Sequence, residues 1–181
     1  MNEIRKVRYL VAASLDGRIA LSDGSFDFFE MAGDEHVPDF LESLKEFDTV
    51  LMGRKTYEVA LKVGVKDPYP SLASYVFSRS LAMDINDQVK IVHDDPAIIV
   101  RELKQQAGKD IYLCGGAQLA ATLLSANLID EVVVKLNPLL IGAGIPLFDS
   151  LAAPALLELT SSKAYGNGVV LLTYRVNTVI R

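Results

Sequence analysis

Short apolar runs that end at a glycine and pass straight into a helical pattern constrain this chain more than any other feature. "TVLMG" (Thr49–Gly53) leads into "RKTYEVALKV", and "DIYLC" (Asp110–Cys114) leads through Gly115 and Gly116 into "AQLAATLLSANL". A strand that turns directly into a helix, repeated along a chain, is the unit of an α/β protein with a mainly parallel sheet. Other runs fit the same rhythm. Val7–Ser14, Ser74–Ser78 and Val89–His93 read as strands, and Asp95–Gly108 as a helix opened by an aspartate cap and Pro96. Val37, Phe40, Leu41 and Leu44 recur at helical spacing, which predicts a helix over Asp34–Phe47 capped by Asp34. Between the first strand and this helix, "LDGRIALSDGSFDFF" reads as a loop turning at Gly17 and Gly24.

The last third drops the helices. Glu131–Leu140 and Gly168–Val176 read as strands, and "LLELTSSKAY" pairs with the latter through the turn at "GNG", so an antiparallel C-terminal edge is expected. The fold class is therefore α/β, as one domain over residues 1–181. The net charge of −5 argues against nucleic acid or a membrane surface as partner, since both need a basic face. No apolar stretch approaches a membrane span, and no targeting segment is apparent. The single cysteine, Cys114, lies within an apolar strand, which predicts a buried thiol and a reducing, cytoplasmic setting.

In open α/β sheets, ligands bind beyond the C-terminal ends of the strands. There the chain places "GRKT", "SRS" and "GGAQ". A helix N-terminus offers free N–H groups and a partial positive charge to phosphate. Gly115, Gly116, Ala117, Gln118 and Leu119 thus form either a pyrophosphate site or a tight turn that needs positive φ. Gly53, Arg54, Lys55 and Thr56 form a second such junction with two cations, or else a solvated helix start. Ser78 and Arg79 would receive a ribose 2′-phosphate, because guanidinium matches phosphate geometry, or would merely face solvent. The G-x-G-x-x-G and Walker-type phosphate loops are absent. His36 and His93 are not spaced as a metal pair; His36 is expected exposed on a first helical turn, and His93 at a strand end.

Taken in order, "AASLDGRIA", "VLMGRKTYE", "YVFSRS", "IYLCGGAQLAATLLSANLIDEVVV" and "NPLLIGAGIPLF" resemble the dihydrofolate reductase-like superfamily. The resemblance is greatest to the reductase domain of the bifunctional riboflavin-biosynthesis deaminase/reductase. It implies a three-layer fold with a mostly parallel sheet, and NADPH lying across the strand ends. By motif match, Gly53, Arg54 and Thr56 would hold the adenosine-side phosphates, Ser78 and Arg79 the 2′-phosphate, and Gly115–Leu119 the pyrophosphate. Ala12 and Ile19 would flank the nicotinamide, with Ser14, Asp16 and Val37 on the substrate side. Asp16 is the candidate proton-handling or substrate-orienting acid; its alternative is a turn aspartate bonded to its own backbone beside Gly17.

The acidic position of folate reductases proper falls on Val37, so that activity is not expected. Asp34 and Asp39 lie nearby but displaced, and Asp39 is expected to be solvated. The expected reaction is hydride transfer from NADPH to a pyrimidine, pterin or related small heterocycle, without a metal. The alternatives are a non-catalytic NADPH-binding module and a broad oxidoreductase of small carbonyls or nitro compounds. The resemblance and the long apolar run "VVVKLNPLLIGAGIPLF" together predict a homodimer joined along that edge.

Overall fold

Strands packed on both faces need apolar residues at every position, whereas half-exposed strands alternate. Thr49–Met52 and Ile111–Leu113 are buried throughout, and they lie in the middle of the sheet. The computed structural model describes residues 4–81 and 88–179. Its elements are β1 (Val7–Ser14), β2 (Arg18–Ala20), α1 (Val37–Ser43), β3 (Phe47–Gly53), α2 (Arg54–Lys62), β4 (Ala73–Phe77) and β5 (Val89–Val92). They continue with α3 (Pro96–Gln105), β6 (Asp110–Gly115), α4 (Ala117–Ser125), β7 (Glu131–Asn137), β8 (Ile145–Pro146), β9 (Ala155–Ala164) and β10 (Val170–Val179). Eight strands form one sheet in the order β5-β4-β3-β6-β1-β7-β10-β9. Its pairings are parallel except those of β10 with β7 and β9.

The two-residue period of the strands divides the core into two layers. Val7, Tyr9, Leu51, Ile111 and Leu113 face α3 and α4, where Val100, Leu103, Ala120 and Leu123 meet them. Leu10, Val50, Met52, Tyr112 and Val133 face the other way, toward Phe40, Leu44, Tyr57 and Leu61. Asp95 caps α3 as expected, accepting from the Ala97 N–H at 2.7 Å with Pro96 in the first turn. Arg5, 5% exposed, ties the start of β1 to its neighbours. Its guanidinium donates to the carbonyls of Lys109 (2.5 Å) and Leu103 (3.3 Å), to Thr49 Oγ1 (2.8 Å) and to the Asp48 carboxylate.

Three sequence expectations are corrected here. The helix expected over Asp34–Phe47 is α1 alone, followed by a 3₁₀ turn at Leu44–Glu46. Pro38 confines the residues before it, and Phe47 is already the buried first residue of β3. Asp34 does not cap it, since the N-cap is His36, with no side-chain cap. The segment expected to be loop contains β2, paired with β8, and a 3₁₀ turn at Asp27–Ala32 that buries Phe29. The first part of the apolar run expected to form a dimer edge is an interior strand, since β7 lies between β1 and β10 with Val132–Val134 buried, whereas Leu140 beyond it is exposed. The exposed edge is β9, where Leu156, Leu157 and Leu159 face solvent. Among the described residues no helix is long and apolar enough to cross a membrane.

Candidate functional site

The C-terminal ends of the parallel strands open into a cleft of about 2320 Å3. β3 and β6 are paired with Met52 opposite Gly115, so the two strand-to-helix junctions lie side by side. A Cβ built on Gly116 would sit 3.5 Å from Thr56 Oγ1 and 3.8 Å from Gly53 Cα, ordinary contact distances that place the two junctions against each other. Gly115 and Gly116 have φ of +143° and +102°, a backbone that side chains rarely adopt. Gly53 is ordinary extended backbone at φ −77°, ψ 158°. Neither α2 nor α4 carries a side-chain N-cap, so first-turn N–H groups of both helices stay available beside the cleft. The turn and phosphate readings of the glycine pair are therefore compatible. The turn needs the glycines, and it leaves two adjacent helix N-termini bare.

The basic residues behave differently from one another. Arg54 is tied along its own helix to Glu58 at 2.7 Å. Lys55 and Arg79 line the cleft, are exposed, and make no hydrogen bond or ion pair among the described residues. Ser78 is buried and shapes the loop that carries Arg79. Its Oγ accepts from the N–H of Leu81 (2.9 Å) and of Ser80 (3.3 Å), and its carbonyl accepts from His93 Nδ1 at 2.6 Å. Thr56, Gln118 and Leu119 line the same region.

At the other end, Ala12, Ile19 and Val37 line the cleft, while Ser14 and Asp16 do not. Ser14 is fully buried. The Asp16 carboxylate accepts from Ser14 Oγ (2.5 Å) and from the N–H groups of Ile141 (3.1 Å) and Gly142 (2.6 Å). These donors, the Ser14 hydroxyl foremost, pull its carboxyl down to about 2. Such a group stays ionised near neutrality and only accepts. The geometry suits a clasp between two loops better than a proton donor: one partner, Ser14, is local, and the other two lie far along the chain.

Several cleft residues carry no signal strong enough for sequence reading. Asp39, expected solvated, accepts from Tyr165 Oη at 2.5 Å and pairs with Lys163, which together lower its carboxyl. His36 is half-buried rather than exposed. Its Nε2 lies 3.1 Å from Lys135 Nζ, and burial is the main cause lowering its imidazole. Lys135 is the one hint the sequence offers here, a lone cation in the apolar strand "EVVVKLN". The Cys114 thiol meets Tyr69 Oη at 3.3 Å, and burial pushes it up. Among the described residues, no three His, Cys, Asp or Glu side chains are grouped to hold a metal ion.

A mostly parallel sheet with an antiparallel edge, helices on its faces and an open cleft across the strand ends defines a dihydrofolate reductase-like fold. Dihydrofolate reductase from Enterococcus faecalis, solved with NADP(H) and RAB-propyl, superposes with a TM-score of 0.68 at 16% identity, over 98% of this chain and 100% of that one. The chain belongs to the family of the RibD C-terminal domain, which it matches over residues 5–171. A Shewanella sp. PV-4 protein ascribed to riboflavin biosynthesis superposes with a TM-score of 0.84 at 26% identity, covering 96% of this chain and 99% of that one. The protein YwjB of Bacillus subtilis (strain 168), itself uncharacterized, is 35% identical over 170 residues, 92% of this chain and 96% of its own length.

Proposed function

We propose that this chain is an NADPH-dependent reductase that delivers hydride to a pyrimidine, pterin or related heterocycle. The observation that carries this reading is the seam where two uncapped helix N-termini meet at Gly53 and Gly116. Backbone N–H groups there suit a pyrophosphate, and the positive-φ glycines leave its approach clear. The residues fit the cofactor's other parts as well. Arg79 and Lys55, which have no partner among the described residues, suit the 2′-phosphate and an adenosine-side phosphate, with Ser78 holding the Arg79 loop in shape. Ala12 and Ile19 offer an apolar seat for a nicotinamide ring. Bound there, the cofactor would supply the hydride. The protein's part is to align the two rings and keep water from them, for which Leu10, Met52, Phe40 and Val133 provide apolar walls. Asp16 serves by holding the loop after β1 against residues 141–142. The RibD C-terminal family and the NADP(H) complex of the E. faecalis reductase support the reading.

The test is NADPH consumption, followed by loss of the reduced-nicotinamide absorbance, against oxo-pyrimidines and pterins on one side and small aldehydes, ketones and nitro compounds on the other. Consumption driven by the heterocycles is the expected result. Consumption driven only by the small carbonyls or nitro compounds, or by nothing in either set, would overturn it.

A further inference from the structure

A cation inside a parallel sheet is costly unless something answers its charge. Lys135 on β7 lies in register between Ala12 of β1 and Leu171 of β10, and both neighbours are apolar. It is half-buried in the cleft and makes no ion pair among the described residues. Of the carboxylates around His36, Asp39 is engaged by Lys163 and Tyr165 and Glu35 by the Gly166 N–H, while the charge of Asp34 acts on His36 rather than pairing with Lys135. What holds Lys135 is neutral. Its Nζ lies 3.1 Å from His36 Nε2 and 5.8 Å from the centre of the Phe29 ring. When the ammonium donates to Nε2, the imidazole must carry its proton on Nδ1, and that atom is buried without a partner among the described residues. An ammonium fixed in direction, with donor capacity left over and no anion against it, is built to meet an acceptor that arrives from outside.

We propose that Lys135, oriented by His36, is the proton donor and acceptor-binding group at the substrate end of the cleft. The substrate accordingly presents a carbonyl or imine group to Nζ. The proposal rests on the reductase reading for its reaction, because Ala12, beside Lys135 in the sheet, is where that reading seats the nicotinamide. Hydride added to the carbon of a C=O or C=N bond forms a C–H bond and leaves the π pair on the heteroatom. An Nζ–H bond of Lys135 breaks, the heteroatom takes that proton, and the resulting neutral amine is reprotonated by water from the open cleft. The substrate gains a hydride and a proton, and the reduced nicotinamide is oxidised by two electrons. Burial lowers the affinity of Lys135 for its proton, which favours the transfer.

The chain has two histidines, so the imidazole signals of His36 and His93 are readily told apart by NMR. Orotate and a pterin carboxylate serve as probes, titrated into the wild type, Lys135→Met and Lys135→Arg without cofactor. At least one probe is expected to move the His36 signals of the wild type, and Lys135→Met should weaken its binding about tenfold or more, with partial recovery in Lys135→Arg. NADPH titrations should be alike in all three proteins, and the melting temperature of Lys135→Met should not fall, because the half-buried ammonium has no counter-ion and its desolvation offsets its contacts with His36 and Phe29. Silence at His36 with both probes, or equal affinity in Lys135→Met, would overturn the assignment. Failure of the wild type to bind NADPH would instead strike the reductase reading and leave the probe result to judge Lys135.

Discussion

Arg5→Ala is expected to destabilise the fold by about 3 kcal/mol, the largest single effect anticipated here. The side chain is buried, and it satisfies two carbonyls, the Thr49 hydroxyl and the Asp48 carboxylate at the N-terminal end of the sheet. Truncation removes the buried bond to Thr49 and the bonds to the Lys109 and Leu103 carbonyls, of which Leu103 keeps the Gln106 N–H, and a hydrogen bond to a charged group is worth about 1.5–3 kcal/mol. Asp48 is partly exposed, so water screens the ion pair itself and the loss comes mainly from the bonds to Thr49 and the two carbonyls. In a chain of this size the melting temperature should drop by about 6–12 °C. Arg5→Lys should recover only part, because an ammonium lacks the fork that reaches several acceptors at once. An unchanged melt for Arg5→Ala would show that the network contributes nothing net.

Gly116→Ala is expected to damage both the fold and the site. At φ +102° an alanine is strained whatever the space around it, at a cost of about 1–3 kcal/mol. The strained backbone would also shift the helix N-terminus at the seam, and the methyl group would stand where the phosphate approaches, so affinity for NADPH should fall at least about tenfold, or 1.4 kcal/mol. Gly53→Ala is the control. Its backbone is ordinary, and its methyl would make normal contacts at 3.6 Å with the Gly115 carbonyl and 3.9 Å with Leu119. Its melt should stay near that of the wild type. Melts and cofactor titrations on the same samples separate the two effects. A normal melt for Gly116→Ala would refute the backbone argument, and undiminished NADPH affinity in its folded fraction would mean that the glycines serve only the turn.

The central strands were legible in the sequence because strands buried on both faces become unbroken apolar runs, and the glycines that end β3 and β6 marked where the chain turns. The Asp95–Pro96 helix start was legible for a local reason, since a cap and its N–H lie two residues apart. What escaped depends on distant partners. β2 and β8 are three and two residues long, too short to show a period, and they exist only because they pair with each other. An apolar run also reads the same whether it is an interior strand or an exposed edge, which is why the run that opens with β7 was expected to form an interface. In the site, the glycine junctions and the Ser78–Arg79 turn were visible as local motifs. The fastening of Asp16 to Ile141 and Gly142, and the meeting of Lys135 with His36, come from chain crossings that no spacing encodes.

The central claim is that the cleft takes a nicotinamide cofactor with its 2′-phosphate at Arg79. It is tested most directly by equilibrium titration of the wild type and Arg79→Ala with NADPH and NADH. The account predicts that NADPH binds the wild type at least about tenfold more tightly than NADH, because a charge-assisted bond to the extra phosphate is worth about 1.5–3 kcal/mol. Arg79→Ala should remove most of that preference and leave NADH binding unchanged. Equal dissociation constants for the two cofactors in the wild type would contradict the account.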